Sequence, residues 1–193
     1  MIAGHFGFAA AVKAREHATP LWALMLATVW LDVVFVPLLF AGVESAQPAE
    51  ANHAGYGQNI IHADYTHSIP GALILSGILG ALAWGLWGRR SGVVVALVAA
   101  SHWLLDILVH RADLAILPGN FGDLPRIGLG LWRYPVASAA VEFALVILGA
   151  WLYWRSARTF ARQRGQETRA ANITTALIVA CGALVLWMDF TAT

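Results

Sequence analysis

The sequence predicts an all-α, polytopic transmembrane helical bundle of about five spans plus a short N-terminal helix. Three observations predict it. Of 193 residues, 59% are hydrophobic and 12% charged, where an ordinary soluble domain carries about 25% charge. Mean hydropathy is +0.66. The apolar residues also gather into runs that approach the ~20 needed to cross a hydrocarbon core. Neither repeats nor low-complexity tracts interrupt the chain, so 1–193 reads as a single integral membrane domain.

The first run, 2–12, is too short to span alone and reads as an amphipathic surface helix or a half-membrane helix. Its positive charges follow the apolar core instead of preceding it, so it is expected to be retained and not cleaved as a secretory signal. Spans are expected at 21–41, 69–87, 92–109, 136–154 and 173–190. Ser68, with Thr66 beside it, suits the N-cap of the second span. Trp84, Trp87, Trp151 and Trp154 fall at span ends, where amphipathic aromatics sit at the headgroup level.

Lys13 and Arg15, then Arg89 and Arg90, then Arg155, Arg158, Arg162, Arg164 and Arg169 occupy alternate connections. The remaining connections hold only Arg111, Arg126 and Arg133. The positive-inside rule then predicts a cytoplasmic N-terminus and an external C-terminus, with the long connections 42–68 and 111–135 outside. The net charge of +1 carries little information about partners, because where the charges fall along the chain matters more, and nucleic-acid binding is not indicated. The single cysteine, Cys181, excludes an internal disulfide.

Ionisable residues are costly in a bilayer, by ~2.5–3.5 kcal/mol each on insertion scales, and they normally face a bundle interior or a water-filled cavity. This chain concentrates them. In ASHWLLDILVHRAD, His102, Asp106 and His110 recur at i, i+4 and i+8, with Asp113 at i+11, one drifting stripe of a helix. Counting ~1.5 Å per residue, Asp32 lies about 18 Å along the first span and His102 and Asp106 about 15–22 Å along the third. Glu142 lies at a comparable depth in the fourth. The stretch HADYTHSIPG adds Asp64 and His67 at the mouth of the second span, with His62 further out.

Imidazoles mixed with carboxylates, without a thiolate cluster, suit a divalent metal ion: zinc first, manganese or iron otherwise. His67, His102 and Asp106 are the first choice of ligands, and His62, His110 and His5 are further candidates. Asp32 or Asp64 is then a ligand or the catalytic base that activates water. His5 reaches such a site only if the 2–12 segment enters the membrane. His17 and His53 read as solvated loop residues, and Glu142 as a partner of a histidine or of Arg133. The same residues are open to three other readings: a proton or ion pathway through Asp32, Asp106 and Glu142, a haem held by paired histidines, and a structural polar network in a non-catalytic subunit.

The order of MIAGHFGFAAAVKA, VWLDVVFVP, HADYTHSIPGAL, SHWLLDILVHRADLAILPG and GLGLWRYP resembles the bacterial membrane-bound, predicted metal-dependent hydrolases over roughly residues 1–155. The resemblance implies roles for His5, Asp32, His67, His102 and Asp106. Ala63-Asp64 stands where that family's pattern has Arg-Gly, and Asp32 stands alone in place of a Pro-Asp-x-Asp cluster. The resemblance implies a site in a bacterial inner-membrane protein, and the function expected of the assembled residues is metal-assisted hydrolysis of a phosphoester or other ester. The expected substrate is a lipid or lipid-linked small molecule at the outer leaflet.

Overall fold

The computed structural model describes residues 1–48 and 58–191. Among them are seven α-helices and one two-stranded antiparallel sheet, an all-α bundle. Four helices are long and apolar enough to cross a membrane: α4 (Ile69–Trp87), α5 (Arg89–Val109), α6 (Pro135–Gln163) and α7 (Arg169–Thr191). The pair α2 (Leu21–Thr28) and α3 (Trp30–Phe40), bent by 49°, is apolar enough to form a broken fifth span or a re-entrant loop. These helices fit a multi-pass membrane protein.

The expected single span 21–41 is thus broken. Val29, at φ −118° and ψ 16°, leaves helical geometry between α2 and α3. Broken helices are tolerated at membrane depth where the freed backbone meets a polar partner or a cavity, and the Thr28 carbonyl meets one, His102.

The short first helix, α1 (Ile2–Lys13), lies inside the bundle and not on its surface: Ala3, Gly4, His5, Gly7, Ala9 and Ala10 are all buried. Its 12 residues rise about 18 Å, half a bilayer. Glycine allows this. Gly7 of α1 and Gly149 of α6 lie backbone to backbone, and a methyl on either would run into the other helix, at the Leu145 or the Gly7 carbonyl. Small residues of this kind let helices approach closely where lipid offers no hydrophobic drive for association. The first turn of α1 also donates the Gly4 amide to Glu142 Oε2 of α6 at 3.1 Å, giving a helix N-terminus a carboxylate.

The hairpin of α4 and α5 is built the same way. A methyl on Gly80 would approach the Ala96 Cβ to 2.6 Å, and one on Gly92 would approach the Trp84 Cβ to 2.6 Å. Ser68 caps α4, accepting from the Gly71 amide at 3.2 Å, and Pro70 sits in the first turn.

At the end of the bundle that carries Lys13, Arg89 and Arg90, Arg90 Nε donates to Glu16 Oε2 at 2.8 Å. The Ala18 and Thr19 amides donate to Glu16 Oε1. Burial pushes the Glu16 carboxyl up, but Arg90 and the two amides outweigh it and hold its pKa below the usual range. Arg155, Arg158 and Arg162 belong to α6, which continues as a helix to Gln163 where a connection was expected. Arg155 and Arg158 lie over the Trp151 and Trp154 rings at 4.8 and 4.6 Å.

At the opposite end, β1 (Ser45–Pro48) pairs with β2 (Asn59–His62), and the segment after α5 folds back through a bridge between Leu114 and Ile127. These pieces cover the mouth of the bundle.

Candidate metal centre

Four elements bring the polar side chains together. From α1 comes His5, from the first turn of α3 Asp32, from the turn before α4 His67, and from one face of α5 His102 and Asp106 at i, i+4. His110 follows as the residue that ends α5. The expected stripe running on to Asp113 stops there. His110 adopts ψ 144°, so it and Asp113 belong to the connection and not to the helix.

The arrangement converges. His67 Nε2 and His102 Nε2 are 3.1 Å apart. Asp106 Oδ2 lies 2.9 Å from His102 Nε2 and 3.7 Å from both His67 Nε2 and His110 Nε2. Asp32 Oδ1 is 3.5 Å from His67 Nε2 and 3.5 Å from His102 Nε2. His5 approaches the other Asp106 oxygen, with Nε2 3.1 Å from Oδ1, and stacks on the His102 ring at 4.1 Å between centroids.

The partners of the second ring nitrogens decide what these groups can do. His102 Nδ1 donates to the Thr28 carbonyl at 2.8 Å. His110 Nδ1 donates to Asp113 Oδ1 at 2.9 Å, and Asp113 Oδ2 accepts the Ile61 amide at 3.0 Å. His67 Nδ1 is 2.8 Å from Thr66 Oγ1. That hydroxyl lies 3.1 and 3.0 Å from the two carboxylate oxygens of Glu44, so its one proton goes to Glu44 and its oxygen accepts from His67. In each neutral ring, then, Nδ1 carries the proton and Nε2 offers a lone pair. With these three rings neutral, three lone pairs and two carboxylates face one another. Such a set is stable around a cation, and ring nitrogens held by carbonyl or carboxylate partners are the usual support of metal-bound histidine. Two nitrogens each ~2.1 Å from a common ion at 90–110° are about 3.0–3.4 Å apart, and the His67–His102 separation of 3.1 Å matches.

Two groups of donor atoms, His5–His102–Asp106 and Asp32–His67–His102, each lie within 4.8 Å and can hold a metal ion. His102 belongs to both, and its Nδ1 is committed to Thr28. Only one nitrogen is left, so the groups describe two ways of holding one ion and not two independent ions. His5 Nδ1 is buried without a hydrogen-bond partner.

The other expected site residues lie elsewhere. Both Asp64 oxygens are held by the Arg126 guanidinium at 2.6 and 2.8 Å, and Asp64 is not among the grouped donors. Its hydrogen bonds to Arg126 push the guanidinium pKa further up. His62 is a strand residue opposite Ser45 and is likewise outside the grouped donors. His17 is exposed and stacks on Phe160, while His53 lies outside the described residues. Glu142 receives the Gly4 amide. Glu44 went unnoticed in the sequence because GVESAQP reads as a surface connection. Its burial comes from accepting the Tyr65 and Thr66 amides at 2.9 and 2.8 Å.

Comparison with family models, curated proteins and solved structures finds no match.

Proposed function

We propose that this protein is a membrane-embedded, metal-dependent hydrolase acting on a phosphoester or other ester, lipid-linked and reached from the outer leaflet of a bacterial inner membrane. The resemblance in motif order supports the reading. The observation that carries it is the convergence of the His67, His102 and His110 lone pairs on Asp106 and Asp32, with every Nδ1 tied back. His67, His102 and Asp106 would hold the ion, with His110 and His5 flanking Asp106 on its two oxygens. A divalent ion such as zinc, when bound, polarises an ester or phosphoryl oxygen and brings the pKa of water toward neutrality. Asp32 is the residue placed to accept a proton from water, because Asp64 is engaged by Arg126.

A conduction pathway is less well supported. Ala9, Leu24, Ala27, Val95, Val98 and Ala99 form a buried apolar cluster between the polar site and the basic end of the bundle. Those side chains offer no relay group.

Elemental analysis of the purified chain tests the reading. About one equivalent of a divalent metal is expected, falling to background in His102→Ala while the melting curve stays cooperative. Metal-free protein, or His102→Ala protein that keeps its metal, would defeat it.

A further inference from the structure

We infer that the substrate reaches Asp32 sideways from the hydrocarbon, along the face of α3 next to α4, and is therefore an ester-bearing amphiphile dissolved in the bilayer; this rests on the hydrolase reading of the cluster.

The site is enclosed on three sides among the described residues. Toward the sheet end it is roofed by buried Glu44, Ala63, Thr66, Leu114 and Ala115, and the Trp132 ring lies 4.3 Å from the His110 ring. Toward the basic end it is plugged by the apolar cluster around Leu24, Val95 and Ala99. Against α6 it is sealed by α1, whose backbone at Gly7 touches Gly149.

The fourth side is α3, and it is open. The side chains of His5, His67, His102, Asp106 and His110 are at most 4% exposed, whereas Asp32 is 35% exposed. The cause is the 49° bend at Val29, after which Leu31 is the one buried residue of α3. The base of α3 is pinned to α4 by Trp30 Nε1 donating to the Leu75 carbonyl at 3.2 Å, and Phe35 sets its ring edge-on to His67 at 6.0 Å. Beyond these two contacts the helix turns Val33, Val36 and Phe40 outward, at 43, 46 and 86% exposure.

The rim chemistry names the visitor. A passage for a water-soluble compound needs polar walls, since unpaired polar groups and water are costly in hydrocarbon. Here a carboxylate has Val33 next to it in the helix, with Phe35 and Val36 one turn on. An ester next to an acyl chain fits both parts, with the ester at Asp32 and the chain along Val33 and Val36. A free, water-soluble ester matches only one.

Removal of the metal reads the route without needing the reaction. Metal-loaded protein in phosphatidylcholine nanodiscs is exposed either to 1,10-phenanthroline, which partitions into lipid, or to EDTA, which does not. Phenanthroline is expected to strip the ion at least about tenfold faster. Val36→Trp, with Val36→Phe standing in if the larger ring prevents folding, should slow phenanthroline several-fold at unchanged initial metal content. Trp132→Ala, which thins the roof, should bring EDTA up to the phenanthroline rate. Equal rates for the two chelators in the unaltered protein, or no slowing by either Val36 variant, overturn the lateral route and leave the metal reading standing. If the protein holds no metal, the hydrolase reading falls by itself, and the route is read from a nitroxide at Asp32→Cys in the Cys181→Ser background. Collisions with oxygen several-fold above those with a neutral nickel chelate support the opening to lipid, and the reverse order rejects it.

Discussion

Thr66→Val isolates the support of the metal centre from its ligands. The hydroxyl stands between Glu44 and His67, 2.8 Å from His67 Nδ1. Valine keeps the shape and removes the acceptor. His67 Nδ1–H then faces a buried apolar group, and the neutral ring no longer prefers the tautomer that offers Nε2 to the ion. Loss of such a partner typically weakens metal binding 10–100-fold, or about 1.4–2.7 kcal/mol. The fold should survive. Glu44 retains the Tyr65 and Thr66 amides at 2.9 and 2.8 Å, so the stability cost is that of the two hydrogen bonds the hydroxyl makes, to Glu44 and from His67, about 2–3 kcal/mol. Thr66→Ser returns the hydroxyl and should recover affinity to within about twofold. The assay is competition for zinc against a chromophoric chelator on detergent-solubilised protein, with a melting curve for each variant. Folded Thr66→Val protein with unaltered affinity, or Thr66→Ser protein as weak as Thr66→Val, refutes the tautomer argument.

Other outcomes follow from the same geometry. His62→Ala should leave metal content unchanged and His110→Ala should lower affinity, because of these two residues His110 is the one that faces Asp106; elemental analysis after dialysis separates them. Ligation needs unprotonated imidazoles, so zinc affinity measured from pH 7.5 to 5.5 should fall with acid. Gly149→Ala should destabilise the bundle through collision with the Gly7 carbonyl, whereas Gly77→Ala, whose methyl would meet nothing within 4 Å, should not; thermal melts in one detergent compare them. Glu16→Gln should cost about 1–2 kcal/mol above pH 5, where the carboxylate is ionised in folded and unfolded chains alike. Because the folded Glu16 pKa is depressed, that contribution is lost as pH falls through it, so the gap in melting temperature between wild type and Glu16→Gln should close in acid.

The sequence displayed some elements in full and hid others. The span Ile69–Trp87 was legible to the residue because Ser68, Pro70 and Gly88 mark its ends. The break at Val29 was not, since neither proline nor glycine lies at positions 28–30 and the partner of the Thr28 carbonyl comes from α5. Charge misled at Arg155, Arg158 and Arg162, because a helix can run on into water past the apolar window that betrays it. Periodicity brought out His102 and Asp106 but carried the stripe too far, to Asp113, where the backbone has already left the helix. Asp64 resembled a catalytic carboxylate until its partner, 62 residues away, became visible. Glu44 and Thr66 act through amides and a hydroxyl, groups that leave no periodic trace.

The pairing of α1 with α6 sets a timetable for biogenesis. Gly4 and its acceptor Glu142 are 138 residues apart. At 5–20 residues per second the ribosome needs roughly 7–30 s to supply the second after the first. Through that interval α1, too short to be held by the bilayer alone, lacks the helix it packs against, and His5 cannot take its position until α6 has emerged. Nascent chains arrested before residue 142 should therefore leave α1 open to protease.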